Sequence, residues 1–221
     1  MLDFLDTTAR AASALYVLGD LFEYWAGDDA LASDQHAASV AGAFRTLVKS
    51  GTPVFIMHGN RDFLLAQDFS HAAGASFLAD PAEILVKGQR VLLTHGDALC
   101  TDDADYQAFR RQVRDPAWQR AFLAQPLADR NAQIEALRMR SESEKSGKAL
   151  SIMDVNPQAV LALLADHGYP ALLIHGHTHR PDAHEIEVDG HRCVRWVLGD
   201  WGDTGDYLQL DASGCSRHKL T

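Results

Sequence analysis

Five apolar runs in this chain each end on a polar residue beside a glycine: ALYVLGD at Asp20, VFIMHGN at Asn60, VLLTHGD at His95, ALLIHGH at His175 and His177, and RWVLGD at Asp200. A short leucine-rich and β-branched run closed by a glycine turn has the pattern of a strand buried on both faces, as in a largely parallel sheet. Ligands of open α/β sheets gather at the carboxyl ends of such strands. Asp, Asn and His recur where those ends fall, so the pattern predicts a metal site assembled from several strand ends.

Helical spacing fills the intervals. Val40, Ala41, Phe44, Leu47 and Val48 recur at i, i+3, i+4 before Gly51 and Pro53, which predicts strand-helix-strand order into VFIMHGN. Val160, Leu161, Leu163 and Leu164 repeat the pattern, with Pro157 near the start and Gly168 at the end. Turns at KGQ near Gln89 and VDGH near Gly190 predict some antiparallel pairing, hence a mixed sheet or sandwich flanked by helices. Residues 104–153 carry no strand pattern and are rich in Arg, Gln, Ala and aromatics. They predict an inserted helical element, either a helical pair packed on the sheet or a cap over the strand ends for an amphiphilic, anionic ligand.

In an extended segment side chains alternate, so His175 and His177 can point to one side while Gly176 lets backbone and metal approach. His179 continues that parity as a supporting or substrate contact. Asp20 offers two oxygens that can bridge cations, and Asn60 an amide oxygen without added charge. Imidazole, carboxylate and amide oxygen together suit manganese, iron or zinc, and no cysteine accompanies them. Singly, Asp20 also reads as a turn or cap, Asn60 as a left-handed turn residue and His95 as a core histidine. Arg61 can hold phosphate oxygens with its guanidinium, or simply pair with Asp62 at the surface.

With 221 residues, 47% of them hydrophobic, the chain suits one globular domain spanning 1–221. Its formal net charge of -10 argues against non-specific nucleic-acid binding. Cys100, Cys193 and Cys215 form no CxxC pair, which suits a reducing, cytoplasmic compartment. No run reaches the roughly 18 apolar residues of a spanning helix, and MLDFLDTTAR lacks the order of a secretory signal.

GD at Asp20, GNRD at Gly59–Asp62, THGD at Thr94–Asp97 and GHTH at Gly176–His179 resemble the calcineurin-like metallophosphoesterases. LGDLFEYWAGDD, HGNRDFLL, THGDALCTDDADYQAFR, ALSIMDVN and IHGHTHRP resemble, within them, the UDP-2,3-diacylglucosamine diphosphatase family of the lipid A pathway. The resemblance implies an α/β fold (α+β by some schemes), an αββα sandwich with a helical lid at about 104–153. It implies a manganese-dependent pyrophosphohydrolase that cleaves UDP-2,3-diacylglucosamine to 2,3-diacylglucosamine 1-phosphate (lipid X) and UMP, by metal-activated water attacking the α-phosphate. Two Mn2+ per chain are implied: Asp20 bridges them, Asn60, His95 and His175 complete one site, and His177 serves the other. Arg61, Asn60 and His175 are implied to be catalytic, with substrate contacts at Asn60, Arg61, Asp103, Ser141, Lys145, Lys148 and His175. The implied partners are the lipid-linked UDP-sugar and the inner face of the bacterial inner membrane, met peripherally by a monomer.

The family opens with a strand bearing Asp-x-His, which has no counterpart before Asp20 here. The expectation is therefore an N-terminally truncated domain without that first strand, one metal site short of ligands, and reduced hydrolysis. Competing readings are a metallophosphoesterase for another nucleotide substrate and a scaffold impaired in catalysis. If the insertion covers acyl chains, Trp118 and Phe122 are expected to face them.

Overall fold

The structure, a computed structural model, describes residues 1–145, 154–202 and 205–220. Its strands are β1 (Leu15–Leu18), β2 (Val54–Met57), β3 (Ser76–Leu78), β4 (Ala82–Val86), β5 (Gln89–Thr94), β6 (Leu172–His175), β7 (Ala183–Val188), β8 (His191–Val197), β9 (Gly205–Asp211) and β10 (Gly214–Leu220). The helices are α1 (Leu2–Asp6), α2 (Gln35–Lys49), α3 (Gln67–Ala73), α4 (Ala104–Val113), α5 (Pro116–Leu123), α6 (Leu127–Lys145) and α7 (Pro157–Asp166).

Each apolar run of the sequence forms a strand. β1, β2 and β3 pair in parallel, whereas a second sheet has the order β4-β5-β6-β8-β7, parallel at its centre and antiparallel at both edges. The antiparallel pairs arise at the two predicted turns: Lys87-Gly88 and Asp189-Gly190 all take positive φ, the conformation that tight hairpins require. α2 starts where the Asp34 carboxylate accepts the Ala37 N–H at 2.9 Å, and α7 where Asn156 caps a helix opened by Pro157.

Alternation along the strands divides the core. Leu18 and Met57 share one cluster with Val91, Leu93, Leu172 and Ile174, between the two sheets. Val54 and Ile56 belong to a cluster with residues of α1, α2 and α3, and Leu92 and Leu173 to one with Val160 and Leu164 of α7. The layers are therefore helix, sheet, sheet, helix, the expected αββα sandwich. Both faces of the central strands are covered, which is why they read as continuous apolar runs.

Between β5 and α7 lie α4, α5 and α6. Phe122 is buried in the cluster beside α2, and Trp118 and Ile134 pack against it. Arg130 is also buried, at 2% exposure. Its guanidinium pairs with Asp29 and donates to the carbonyls of Ala26 and Gln125. Part of the insertion's aromatic and arginine content thus docks it on the domain.

Candidate metal centre

The site begins with two glycines in contact. A Cβ on Gly59 would stand 2.1 Å from Asp20 Oδ1, and one on Gly19 would stand 2.5 Å from Gly59 Cα. Only glycine permits the loops after β1 and β2 to close this far. Asp20 (φ 53°), His177 (φ 64°) and His179 (φ 52°) take the left-handed backbone region, a costly conformation for such residues that tends to collect at functional sites. Asp62, fully buried, holds both loops: its carboxylate accepts N–H groups from Gly59 at 2.8 Å, Leu21 at 2.7 Å and Asp20 at 3.3 Å. Burial, and then the charge of Asp20, push the Asp62 carboxyl above its ordinary value.

Asp20, His95 and His177 bring one ligand atom each within 4.8 Å of one another. Asn60 Oδ1 lies among them, 3.0 Å from His95 Nε2 and 2.7 Å from His177 Nδ1. His95 Nδ1 faces the Leu18 carbonyl at 2.8 Å, and Nε2 receives the Asn60 N–H at 3.2 Å, so the tautomer with hydrogen on Nδ1 satisfies both contacts. That tautomer turns a lone pair toward the oxygens of Asn60 and Asp20. Acceptor then faces acceptor, an arrangement that a cation among them relieves. Burial pushes the His177 pKa down to about 3, with His95 adding to the effect, so its imidazole is neutral near pH 7 as a ligand must be. This donor set fits a divalent ion of the manganese, iron or zinc type.

Arg61 stands at the rim. Its N–H donates to Asp20 Oδ1 at 2.9 Å, its Nε lies 3.7 Å from Asp20 Oδ2, and its guanidinium pairs with Glu23. His175 stands apart from the group, with Nδ1 2.9 Å from the Gly176 carbonyl and Nε2 3.0 Å from an Arg195 nitrogen. Burial, above all, pushes its pKa down to about 4. β6 ends at His175, so the alternation expected through His177 does not extend that far. A Cβ at Gly176 would meet only ordinary contacts at 3.8 Å, so close approach does not require glycine there.

Asp103 caps α4, its carboxylate accepting the Tyr106 N–H at 3.1 Å. Ser141 and Lys145 fall on the last turns of α6, and Lys148 lies outside the described residues. The exposed Asp200 carboxylate is 3.7 Å from His179 Nδ1, which brings the fifth strand end beside the GHTH loop.

Two buried carboxylates went without a role in the sequence reading. In the sequence Asp62 reads as a surface partner for Arg61, yet it is fully buried and forms the clamp described above. Asp97 Oδ2 accepts the Tyr106 hydroxyl at 2.8 Å and Arg110 Nε at 2.8 Å. Each follows a candidate ligand by two positions, Asn60 in one case and His95 in the other, and that common offset is the signal.

Residues 2–181 match the family described as calcineurin-like phosphoesterase. The UDP-2,3-diacylglucosamine hydrolase of Aromatoleum aromaticum is 55% identical over 211 residues, covering 96% of this chain and 85% of that protein. Those of Stenotrophomonas maltophilia and Pseudomonas putida are 47% and 48% identical, covering 99% and 96% of this chain and 90% and 88% of their own lengths. The chain therefore belongs to the calcineurin-like phosphoesterases and, within them, to the family of the UDP-2,3-diacylglucosamine hydrolases.

Proposed function

We propose that this chain hydrolyses the pyrophosphate of UDP-2,3-diacylglucosamine to 2,3-diacylglucosamine 1-phosphate and UMP in lipid A biosynthesis, with manganese as the ion. The observation that carries this reading is the convergence of Asp20, Asn60, His95 and His177 in a chain so similar to proteins named for that substrate. Those four residues would hold the metal. When bound, such an ion polarises a phosphoryl oxygen and acidifies water.

The chain's own groups do the rest. Arg61 reaches the phosphate by exchanging Glu23 for it, and its guanidinium then balances charge developing on the phosphoryl oxygens. Asn60 stays oriented because its loop is held by Asp62, whose carboxylate accepts the Gly59 N–H at 2.8 Å and the Leu21 N–H at 2.7 Å. His175 joins the ligand set by releasing Arg195.

In this reading α4–α6 form the lid, with Asp103, Ser141, Lys145 and Lys148 contacting the head group. A cleft of about 460 Å³, lined by Tyr24, Trp25 and Leu127 and by polar Ser33, Asp34, Gln35 and Asn131, lies beside the start of α6. Exposed Tyr24, Leu123, Leu137 and Met139 add apolar surface, and Arg138 lies 5.6 Å over the Tyr24 ring. Such a rim suits acyl chains and the cytoplasmic face of the inner membrane, where the protein works as a peripheral monomer. Among the described residues no helix is long and apolar enough to cross a membrane.

The test is release of UMP from UDP-2,3-diacylglucosamine in detergent micelles, after chelation and readdition of manganese. Manganese-dependent release that disappears in Asp20→Ala supports the reading. Release that is equal with and without manganese, or none at all, overturns it.

A further inference from the structure

Asp97 lies wholly inside the protein and carries several bonds that the proposed chemistry leaves unexplained. Its Oδ2 accepts from Tyr106 and Arg110 and lies 3.8 Å from an Arg114 nitrogen. Gln107 donates to the Asp97 carbonyl at 2.8 Å and to that of Cys100 at 3.1 Å. Four side chains of one stretch, from Tyr106 to Arg114, are thus gathered around the residue two positions after His95.

Two of those four go on to touch the metal-ligand loops. Arg114 donates to the Gly59 carbonyl at 2.8 Å while lying 5.7 Å over the Phe63 ring. The Tyr106 ring stacks against His177, with centroids 5.7 Å apart and planes 29° apart. Gly59 is therefore gripped on both sides, its N–H by Asp62 and its carbonyl by Arg114. That carbonyl belongs to the peptide that carries the Asn60 N–H, the group that meets His95 Nε2.

We infer that Asp97 and Arg114 are positioning residues for the metal centre: Asp97 anchors α4, and through Arg114 the helix sets the orientation of the Asn60 loop. The inference rests on the reading of Asp20, Asn60, His95 and His177 as metal ligands. It makes the insertion part of the metal site's support as well as a cover for substrate. Residues that orient ligands typically affect metal affinity about 10–100-fold.

Manganese titration of chelated protein, following free ion by electron paramagnetic resonance, tests this without any substrate. Arg114→Met keeps the packing on Phe63 and removes the donor. We expect its manganese dissociation constant to rise about tenfold, with near-ultraviolet circular dichroism unchanged, Arg114→Lys recovering part of the loss and exposed Arg111→Met none the worse. Asp97→Asn should weaken binding to a similar degree and shift the visible spectrum of the cobalt-loaded protein, which a general loss of stability does not do. If Asp97→Asn does not fold, Arg114→Met decides. A folded Arg114→Met protein with unaltered manganese affinity overturns the inference. Failure of the unsubstituted protein to bind manganese overturns the ligand reading instead.

Discussion

The Asp62 carboxylate accepts the Leu21 N–H at 2.7 Å, tying the loop after β2 to the loop after β1. It takes N–H groups from Gly59 and Asp20 as well. Asp62→Ala strands these donors inside the protein and should cost about 3 kcal/mol, at the usual penalty for unsatisfied buried donors. Asp62→Asn, which keeps one acceptor oxygen, should cost less. Urea unfolding of the chelated protein measures both, and an Asp62→Ala midpoint equal to the parent's would refute the clamp.

Acid should destabilise the metal-free protein over a defined window. His175 and His177 have pKa values pushed down to about 4 and about 3, in both cases chiefly by burial. Histidine in the unfolded chain takes its proton near pH 6.5. Below that point the unfolded state gains protons that the native state refuses. Their contribution is therefore complete above about pH 6.5 and declines toward pH 4, with a slope of about 1.4 kcal/mol per pH unit for each histidine. Urea unfolding at pH 7, 6 and 5 reads the slope, and His177→Gln should reduce it by about one histidine's share. A flat profile in the parent contradicts the buried neutral state.

Arg130 is a buried long-range tie between α6 and the loop after β1. Asp29→Ala removes its ion-pair partner but leaves its bonds to Ala26 and Gln125. Because the Asp29 carboxylate is 57% exposed, the expected loss is about 2 kcal/mol, below that for a wholly buried pair. Limited proteolysis should then cut within α6 sooner than in the parent. Equal rates of cleavage would mean that the pair does not hold the helix.

The proposed role of α4–α6 in substrate recognition can be separated from chemistry with Leu137→Asp and Met139→Asp, since these side chains are 41% and 68% exposed. Hydrolysis of the diacylated substrate should fall about tenfold, the order expected when an apolar contact is lost, with a soluble phosphodiester turned over as before. Parallel losses on both substrates would place these residues outside lipid recognition.

Much of the fold was legible because burial on two faces writes itself as uninterrupted apolar runs, and tight turns demand their glycines. That Asp20, Asn60, His95 and His177 converge was legible too, since a strand end fixes where its next residue lies. Strand parity does not carry from His175 to His177, because β6 ends at His175 and His177 takes φ 64°. Trp118 and Phe122 left two readings open, a packed helical pair and a cap over acyl chains. An aromatic looks the same in sequence whether it greets a lipid or fills a core, and here Phe122 is buried with Trp118 stacked on it at 5.0 Å. Asp62 stayed hidden because two of its three donors, at Asp20 and Leu21, lie on a segment that only the tertiary fold brings near, and Asp97 because nothing in the positions of Tyr106 and Arg110 shows that the following helix turns back on it.

Asp20 and Asn60 follow strands of the three-stranded sheet, while His95 and His177 follow strands of the five-stranded one. An ion held by all four would be a rivet between the two layers, so its removal should be felt mechanically as well as chemically. Amide hydrogens far from the centre, along both sheets, would then exchange faster in chelator, and the sandwich would report on its own metal through the ease with which its halves part.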